Sequence, residues 1–248
     1  MIYFVSDLHI SASKNETGKI REELFIRWLD EIQHTAEKIF LLGDMMNFWF
    51  EYKNVIPRGY THFLKKLKEL IDKGVEIHYF VGNHDMWTLD FLSEEIGLIV
   101  HRKMEEMEIK SRRFLLGHGH ELTKGIRHKL LFKLYGSQLF WRIFAFIHPR
   151  LLIGYGNYVS DKNLKKAMKN TIKTDRNKHQ IDFSVQQLEN RHYDYFVFGH
   201  THFPCLQQLA KNSIYVNVGD WTKHFSYAVF DGKEIQLKYY TNPLNITK

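Results

Sequence analysis

Asp7, His9, Asp44, Asn83, His118, His200 and His202 are carboxylate, amide and imidazole side chains, and they stand in short islands spread along a 248-residue chain. The islands are Ser6-Asp7-Leu8-His9, Gly43-Asp44, Gly82-Asn83-His84-Asp85, Gly117-His118-Gly119-His120-Glu121 and Gly199-His200-Thr201-His202. Two closely spaced divalent cations need about this many hard or imidazole ligands, one of them a shared carboxylate. Asp44 is the candidate bridge. Asp7, His9 and His202 would complete one site, and Asn83, His118 and His200 the other. Such mixed ligation suits Mn²⁺, Fe²⁺ or Zn²⁺ rather than Ca²⁺ or a thiolate-seeking metal, and Mn²⁺ is the expected ion. A water held between two such cations ionises near neutral pH and is aimed at phosphorus, while the cations clamp phosphoryl oxygens. The expected chemistry is therefore hydrolysis of a phosphate ester or anhydride.

Chemistry of this kind needs rigid elements behind each island. Strand-like runs precede three of them, at Ile2 to Val5, Lys38 to Leu42 and Glu76 to Val81. Helix-like segments lie between, at Ile20 to His34 and Thr61 to Asp72. In the first of these, Leu24, Trp28, Leu29 and Ile32 recur at the three- and four-residue spacing of one buried helical face. Alternating strands and helices imply parallel βαβ units, which gather ligands outside the carboxyl ends of their strands. In the first island, Asp7 and His9 are two apart and would project from one side of an extended chain. After Leu98 shorter strands follow, at Leu98 to His101, Glu105 to Lys110, Arg113 to Leu116, Tyr195 to Phe198, Ser213 to Val218, Tyr227 to Phe230 and Glu234 to Tyr239. They predict a second, largely antiparallel sheet packed on the first, with helices outside.

The bulk numbers bound the rest. The length suits one domain spanning 1–248 that carries an insertion at about 124–179. A lone Cys205 excludes a disulfide framework or Cys-rich zinc site and suits a reducing, cytoplasmic setting. No secretory signal pattern opens the chain, and no apolar run approaches the ~20 residues a bilayer demands. The net charge of +7 is concentrated: from Lys124 to His179 there are 13 Lys or Arg against Asp161 and Asp175, a local net of +11. Nucleic acid, an anionic lipid surface and a phosphorylated ligand are each candidate partners for such a segment. It reads as helix from Lys124 to Phe146 and again from Asp161 to Thr174. The apolar side chains of its first helix, among them Phe140, Ile143, Phe144 and Ile147, are too many for one core. That abundance of aliphatic groups argues against polynucleotide binding, which favours aromatic platforms in a polar groove.

The ordered islands D-L-H, G-D, G-N-H-D, a single His and G-H-T-H, from Ile2 to about Trp221, resemble the calcineurin-like metallophosphoesterase superfamily. The resemblance implies a four-layer α/β/β/α sandwich, a dinuclear metal centre with the ligands named above, and in-line attack by an activated water. It also implies that His84 faces substrate at the leaving oxygen and that Asp85 polarises His84. His120 is expected to orient a ligand or phosphate. The length and the basic, apolar insertion resemble the UDP-2,3-diacylglucosamine pyrophosphatase family of lipid A biosynthesis. Those enzymes release UMP and 2,3-diacylglucosamine 1-phosphate beneath a helical lid that takes up acyl chains and rests on the cytoplasmic face of the inner membrane. By that resemblance Asn83, His84, His200, Ser160, Asn163 and Lys166 are substrate contacts, and the partner is a lipid-linked nucleotide. The chain departs from the family pattern where G-N-R-D is Gly82-Asn83-His84-Asp85 and H-G-D is His118-Gly119-His120. Gly125 and Ile126 also stand where an acidic substrate contact is usual. Another nucleotide or lipid-linked phosphoester is the alternative substrate.

Overall fold

Three apolar stretches, each buried along its whole length or nearly so, make the centre of the protein: β1 (Ile2–Val5), β2 (Lys38–Leu41) and β3 (Glu76–Phe80). They pair in parallel, Ile2 with Lys38 and Lys38 with Glu76. Strands buried on both faces need apolar residues at every position, which is why these runs do not alternate. The computed structural model describes residues 1–11, 16–122, 130, 134–169 and 176–240.

Helices α1 (Glu16–Ile32) and α2 (Thr61–Asp72) join these strands and cover one face of the sheet. The layer between them buries Val5, Phe25, Trp28, Leu29, Leu41, Phe63, Leu67 and Tyr79. Three further strands complete the first sheet in the order β11-β10-β1-β2-β3-β4, with β4 (Ile99–His101), β10 (Ser226–Phe230) and β11 (Ile235–Tyr239). A second sheet runs β5-β6-β7-β9-β8, from β5 (Glu105–Ile109), β6 (Arg112–Leu116), β7 (Tyr195–Phe198), β8 (Cys205–Ala210) and β9 (Ser213–Asn217). Its inner face meets the first sheet through Phe4, Phe40, Phe80, Phe114, Leu116, Val197 and Val216. The four layers follow from two-faced burial.

Two expectations change. The second sheet is mixed, because β6, β7 and β9 are parallel and only its outer pairs are antiparallel. The strands near Leu98, Tyr227 and Glu234 belong to the first sheet instead. The first difference follows from a long connection: β6 reaches β7 only through the whole basic segment, and a crossover of that length delivers the chain parallel.

The basic segment contributes α3 (Gln138–Ala145) and α4 (Pro149–Lys169), and α5 (Lys178–Asn190) then covers the outer face of the second sheet. A helix starting at Lys124 is not continuous. Ser137 is an extended N-cap whose hydroxyl accepts from the Phe140 N–H, so α3 begins after Gly136-Ser137; 123–129 and 131–133 lie outside the described residues. The second lid helix starts at Pro149 rather than Asp161, since proline's fixed φ and missing N–H suit the first turn. Residues 170–175 lie outside the described residues. Gly156 explains how α4 sits so close to the body: a Cβ there would stand 2.5 Å from the Phe48 ring, whereas one at Gly154 would meet nothing within 4 Å. Phe48, Phe50 and Leu152 form a small core under the lid, against which Trp87, Trp141 and Phe144 pack.

Candidate metal centre

Every island leaves the carboxyl end of a parallel strand, so one edge of the sandwich collects them all: Asp7 and His9 after β1, Asp44 after β2, Asn83 and His84 after β3, His118 after β6, His200 and His202 after β7. The backbone turns sharply there. Asp7, His9, Asp44, His200 and His202 all have φ between 47° and 70°. Asp, Asn and His tolerate this left-handed region better than other non-glycine residues, yet it still costs about 1–3 kcal/mol apiece, and it aims these side chains inward. The neighbouring glycines are there for space: a Cβ at Gly43 would stand 2.7 Å from His118 Nδ1, and one at Gly82 would overlap the Asp44 carboxylate. Ser6 ties two islands together by donating to the carbonyls of Leu42 (2.9 Å) and Gly43 (3.2 Å).

The ligand atoms converge. His118 Nε2 is 3.2 Å from Asp44 Oδ2 and 3.3 Å from Asn83 Oδ1. His202 Nε2 is 3.4 Å and His9 Nε2 3.6 Å from Asp7 Oδ1, and His9 Nε2 is 4.0 Å from Asp44 Oδ2. Two donors each ~2.1 Å from one cation, at tetrahedral or octahedral angles, stand about 3.0–3.4 Å apart, and the His118–Asp44, His118–Asn83 and His202–Asp7 spacings fall in that range while the two from His9 are wider. Three overlapping groups have all their ligand atoms within 4.8 Å: Asp7, His9 and His202; His9, Asp44 and His84; and Asp44, His118 and His200. Asp44 Oδ1 is held by the His84 N–H (2.8 Å), which leaves Oδ2 facing both sides. Asp7 Oδ1 and both ring nitrogens of His9 are buried with no hydrogen-bond partner. A coordinated cation would satisfy Asp7 Oδ1 and one of the His9 nitrogens.

Protonation follows from the crowding. Burial works to raise both carboxylates, but His202 and His9 hold Asp7 down at about 2, and His118 and His84 hold Asp44 well below the usual range. Burial keeps His9 at about 4 and His200 at about 3, hence neutral. Burial also pushes His118 down, yet Asp44 beside it lifts that imidazole to about 10. A cation between His118 and Asp44 would compete with the proton that Asp44 favours on the imidazole. Hydrogen bonds set the tautomers: His118 Nδ1 donates to Leu42 O (2.7 Å) and His84 Nδ1 to Asn47 O (2.8 Å), so each Nε2 points to the centre.

Of the expected substrate contacts, Ser160 arrives, its buried hydroxyl 3.0 Å from His84 Nδ1. Asn163 is exposed, and the side chain of Lys166 lies outside the described residues. Asp85 does not polarise His84. Its Oδ1 accepts from Gly82 N–H (2.5 Å) and its Oδ2 from Met45 N–H (3.1 Å) and Tyr79 O–H (2.5 Å), so it is spent on holding two islands in register. Burial and the nearby Asp44 raise it to about 6. His120 is buried with its ring 5.5 Å from His118 and 6.3 Å from His200, beside the ligands.

The residue the motifs left out is Asp220. Its Oδ2 accepts from His202 Nδ1 (3.2 Å) and Thr222 Oγ1 (2.8 Å), and its Oδ1 from the N–H groups of Lys223 (3.1 Å) and His224 (2.9 Å) and from His224 Nδ1 (3.2 Å). Burial would raise this carboxylate, but those bonds to His202 and His224 hold it far below its ordinary range. A carboxylate behind a ligating imidazole fixes the ring's tautomer and direction. Its signal was present in Gly219-Asp220 directly after an apolar strand, the same pattern as Gly43-Asp44. Gln180 on α5 and Asn217 on β9 were also missed; both donate to Gly199 O, at 3.0 and 2.7 Å, and hold the last island.

Two buried carboxylates and five converging imidazoles on a two-sheet sandwich define a metal-dependent phosphoesterase, and residues 1–204 match the family model for calcineurin-like phosphoesterases. The chain belongs to that family. Among its relatives, a UDP-2,3-diacylglucosamine hydrolase of Porphyromonas gingivalis is 34% identical over 252 residues, covering 96% of each chain. One of the same description from Tolumonas auensis is 24% identical, covering 99% of this chain and 98% of its own. A dimetal phosphatase structure from Danio rerio is a distant likeness, at 11% identity and a TM-score of 0.44, over 97% of this chain and 98% of that one.

Proposed function

We propose that this chain hydrolyses the diphosphate of UDP-2,3-diacylglucosamine, giving UMP and 2,3-diacylglucosamine 1-phosphate, with two divalent cations, Mn²⁺ by preference, at the centre. The observation that carries the reading is the full-length similarity to a hydrolase of that description, joined to a complete set of converging ligands. When bound, the cations supply an activated water and draw charge from the phosphoryl oxygens.

The chain's own groups do the rest. Asp44 would be shared by the two cations, which Asp7, His9 and His202 and, beside them, Asn83, His118 and His200 would hold. His84, its Nδ1 hydrogen committed to Asn47, presents Nε2 to the leaving oxygen. The segment at about 124–179 acts as a lid on a single domain. Leu139, Ile143, Phe146, Leu151, Tyr155 and Tyr158 are exposed along α3 and α4, which supports a role in receiving acyl chains and touching a membrane surface at the cytoplasmic face. No helix among the described residues is long and apolar enough to cross a membrane. Ser160, Asn163 and Lys166 all belong to α4, the helix proposed to meet a bound sugar phosphate.

The direct test incubates the Mn²⁺-loaded protein with UDP-2,3-diacylglucosamine and follows UMP by chromatography. Release of UMP is expected. No release, under conditions in which the same preparation cleaves a simple aryl phosphodiester, would sink the substrate assignment.

A further inference from the structure

Arg21 stands on the buried face of α1, one turn ahead of Leu24 and Phe25, so the helical period turns it the same way as those core residues. Because α1 returns from the carboxyl end of β1 to start β2 in parallel, its first turns lie at the edge where the ligands collect. Two contacts place the side chain more closely. The Phe25 ring meets Trp221 at 4.9 Å, and Trp221 follows Asp220 and donates its N–H to Asp7 O (3.2 Å). A Cβ on Gly18 would have Ser11 Cβ at 3.4 Å and Arg21 Nη2 at 4.0 Å, so the guanidinium lies beside the segment leaving His9.

Its surroundings are unusual for a cation. Arg21 Nε is buried with no hydrogen-bond partner, and the side chain makes no ion pair among the described residues. Asp161 and Asp220 are the carboxylates whose fields reach it. Both are engaged elsewhere: Asp161 accepts from Asn47 Nδ2 (2.8 Å), and Asp220 accepts from His202, Thr222, Lys223 and His224. A guanidinium cannot shed its charge, and holding one half-buried and unpaired is costly unless an anion completes it. Its planar fork suits two oxygens of one phosphoryl group.

We propose that Arg21 binds the phosphoryl oxygens of the substrate on the His202 side of the centre. The proposal rests on the centre's acting on phosphoesters and holds whichever phosphoester that is.

The test uses the full chain loaded with Mn²⁺, an aryl phosphodiester as reporter and inorganic phosphate as competitive inhibitor, with metal content measured by mass spectrometry. In Arg21→Met the inhibition constant for phosphate and the KM for the diester should each rise about tenfold or more, with the metals retained. Arg21→Lys should fall between, and added guanidinium should restore part of the Arg21→Met affinity. Unchanged phosphate inhibition in a folded, metal-loaded Arg21→Met overturns the proposal, as does a loss that tracks missing metal. Should Arg21→Met fail to fold, Arg21→Lys decides: weaker phosphate binding with full metal content supports the role, and wild-type inhibition overturns it. A wild type that ignores UDP-2,3-diacylglucosamine but shows these phosphate effects would remove the substrate assignment and leave Arg21 in place.

Discussion

The metal cradle and the lid are built on opposite principles. In the cradle the ligands sit at strand ends, five of them in the left-handed backbone region, and His118, Asp44, Asp7 and His202 are each tied back by a hydrogen bond to a carbonyl, an amide or Asp220. Among the described residues the lid meets the body through the small core of Phe48, Phe50 and Leu152, with Gly156 against Phe48, and through hydrogen bonds such as Asn47 to Asp161, His84 to Ser160 and the indole N–H of Trp141 to Glu51 O (3.0 Å). Its outer face carries apolar groups such as Phe146, 93% exposed. Chemistry common to a family requires the first kind of construction; adaptation to one substrate requires the second.

The sharpest break between the two regions is expected from Asp44→Ala. Losing the shared carboxylate should lower turnover about 10³-fold or more and empty the centre, with far-ultraviolet circular dichroism unchanged. A variant that kept both metals would mean that Asp44 does not bridge. Asp220→Asn comes next. It keeps size but removes the charge behind His202 and turns one accepting oxygen into a donor, so metal affinity should weaken about 10–100-fold, read by competition with a fluorescent chelator. Lid changes should act on substrate choice alone. Ile143→Lys together with Phe146→Asp, both exposed positions, should spare a small aryl diester within about twofold and impair an acylated substrate, with stability altered by less than ~0.5 kcal/mol. Equal losses on both substrates would make the lid part of the catalytic wall.

The smallest effect concerns the scaffold under the cradle. His78 and His101, 2.9 Å apart, are both depressed by burial, His101 to about 4. Groups whose folded values fall below the unfolded 6.5 stay neutral only when folded, so the stability they protect is present above pH 6.5 and lost as pH falls from 6.5 towards 4. The melting temperature should drop over that window, and His101→Gln should flatten part of the drop. A variant with the wild-type slope would assign the acid sensitivity to other groups.

The cradle was readable in the chain because its signals are local. Asp7, Asp44 and Asn83 each follow an apolar run at once, and a strand's end is where such residues meet. Asp220 carried the same signal but lies far from the other islands in a run of short strands, where Gly219-Asp220 passes for a turn. Asp85 misled for the converse reason: adjacency to His84 suggested a partner, while the tight loop turns its carboxylate back onto Gly82, Met45 and Tyr79. Sheet membership was less legible. β10 and β11 have the alternation of a separate hairpin, and only long-range pairing of Phe230 with Ile2 assigns them to the first sheet. In the lid, residues 147–160 lie outside the expected helices, yet Pro149 opens α4 and Gly156 seats it against Phe48.

Gly154 and Gly156, two residues apart and so on opposite sides of the helix, give the lid unequal freedom to change. Gly154 faces open space, so Gly154→Ala should add about 0.4–1 kcal/mol through the unfolded chain's lost freedom, and larger residues would be tolerated there. Gly156 can accept no side chain without prising α4 from Phe48 and, with it, Ser160 from His84. A lineage exploring new substrates through this helix can therefore rewrite its outward surface residue by residue while one missing methyl group keeps α4 seated on Phe48.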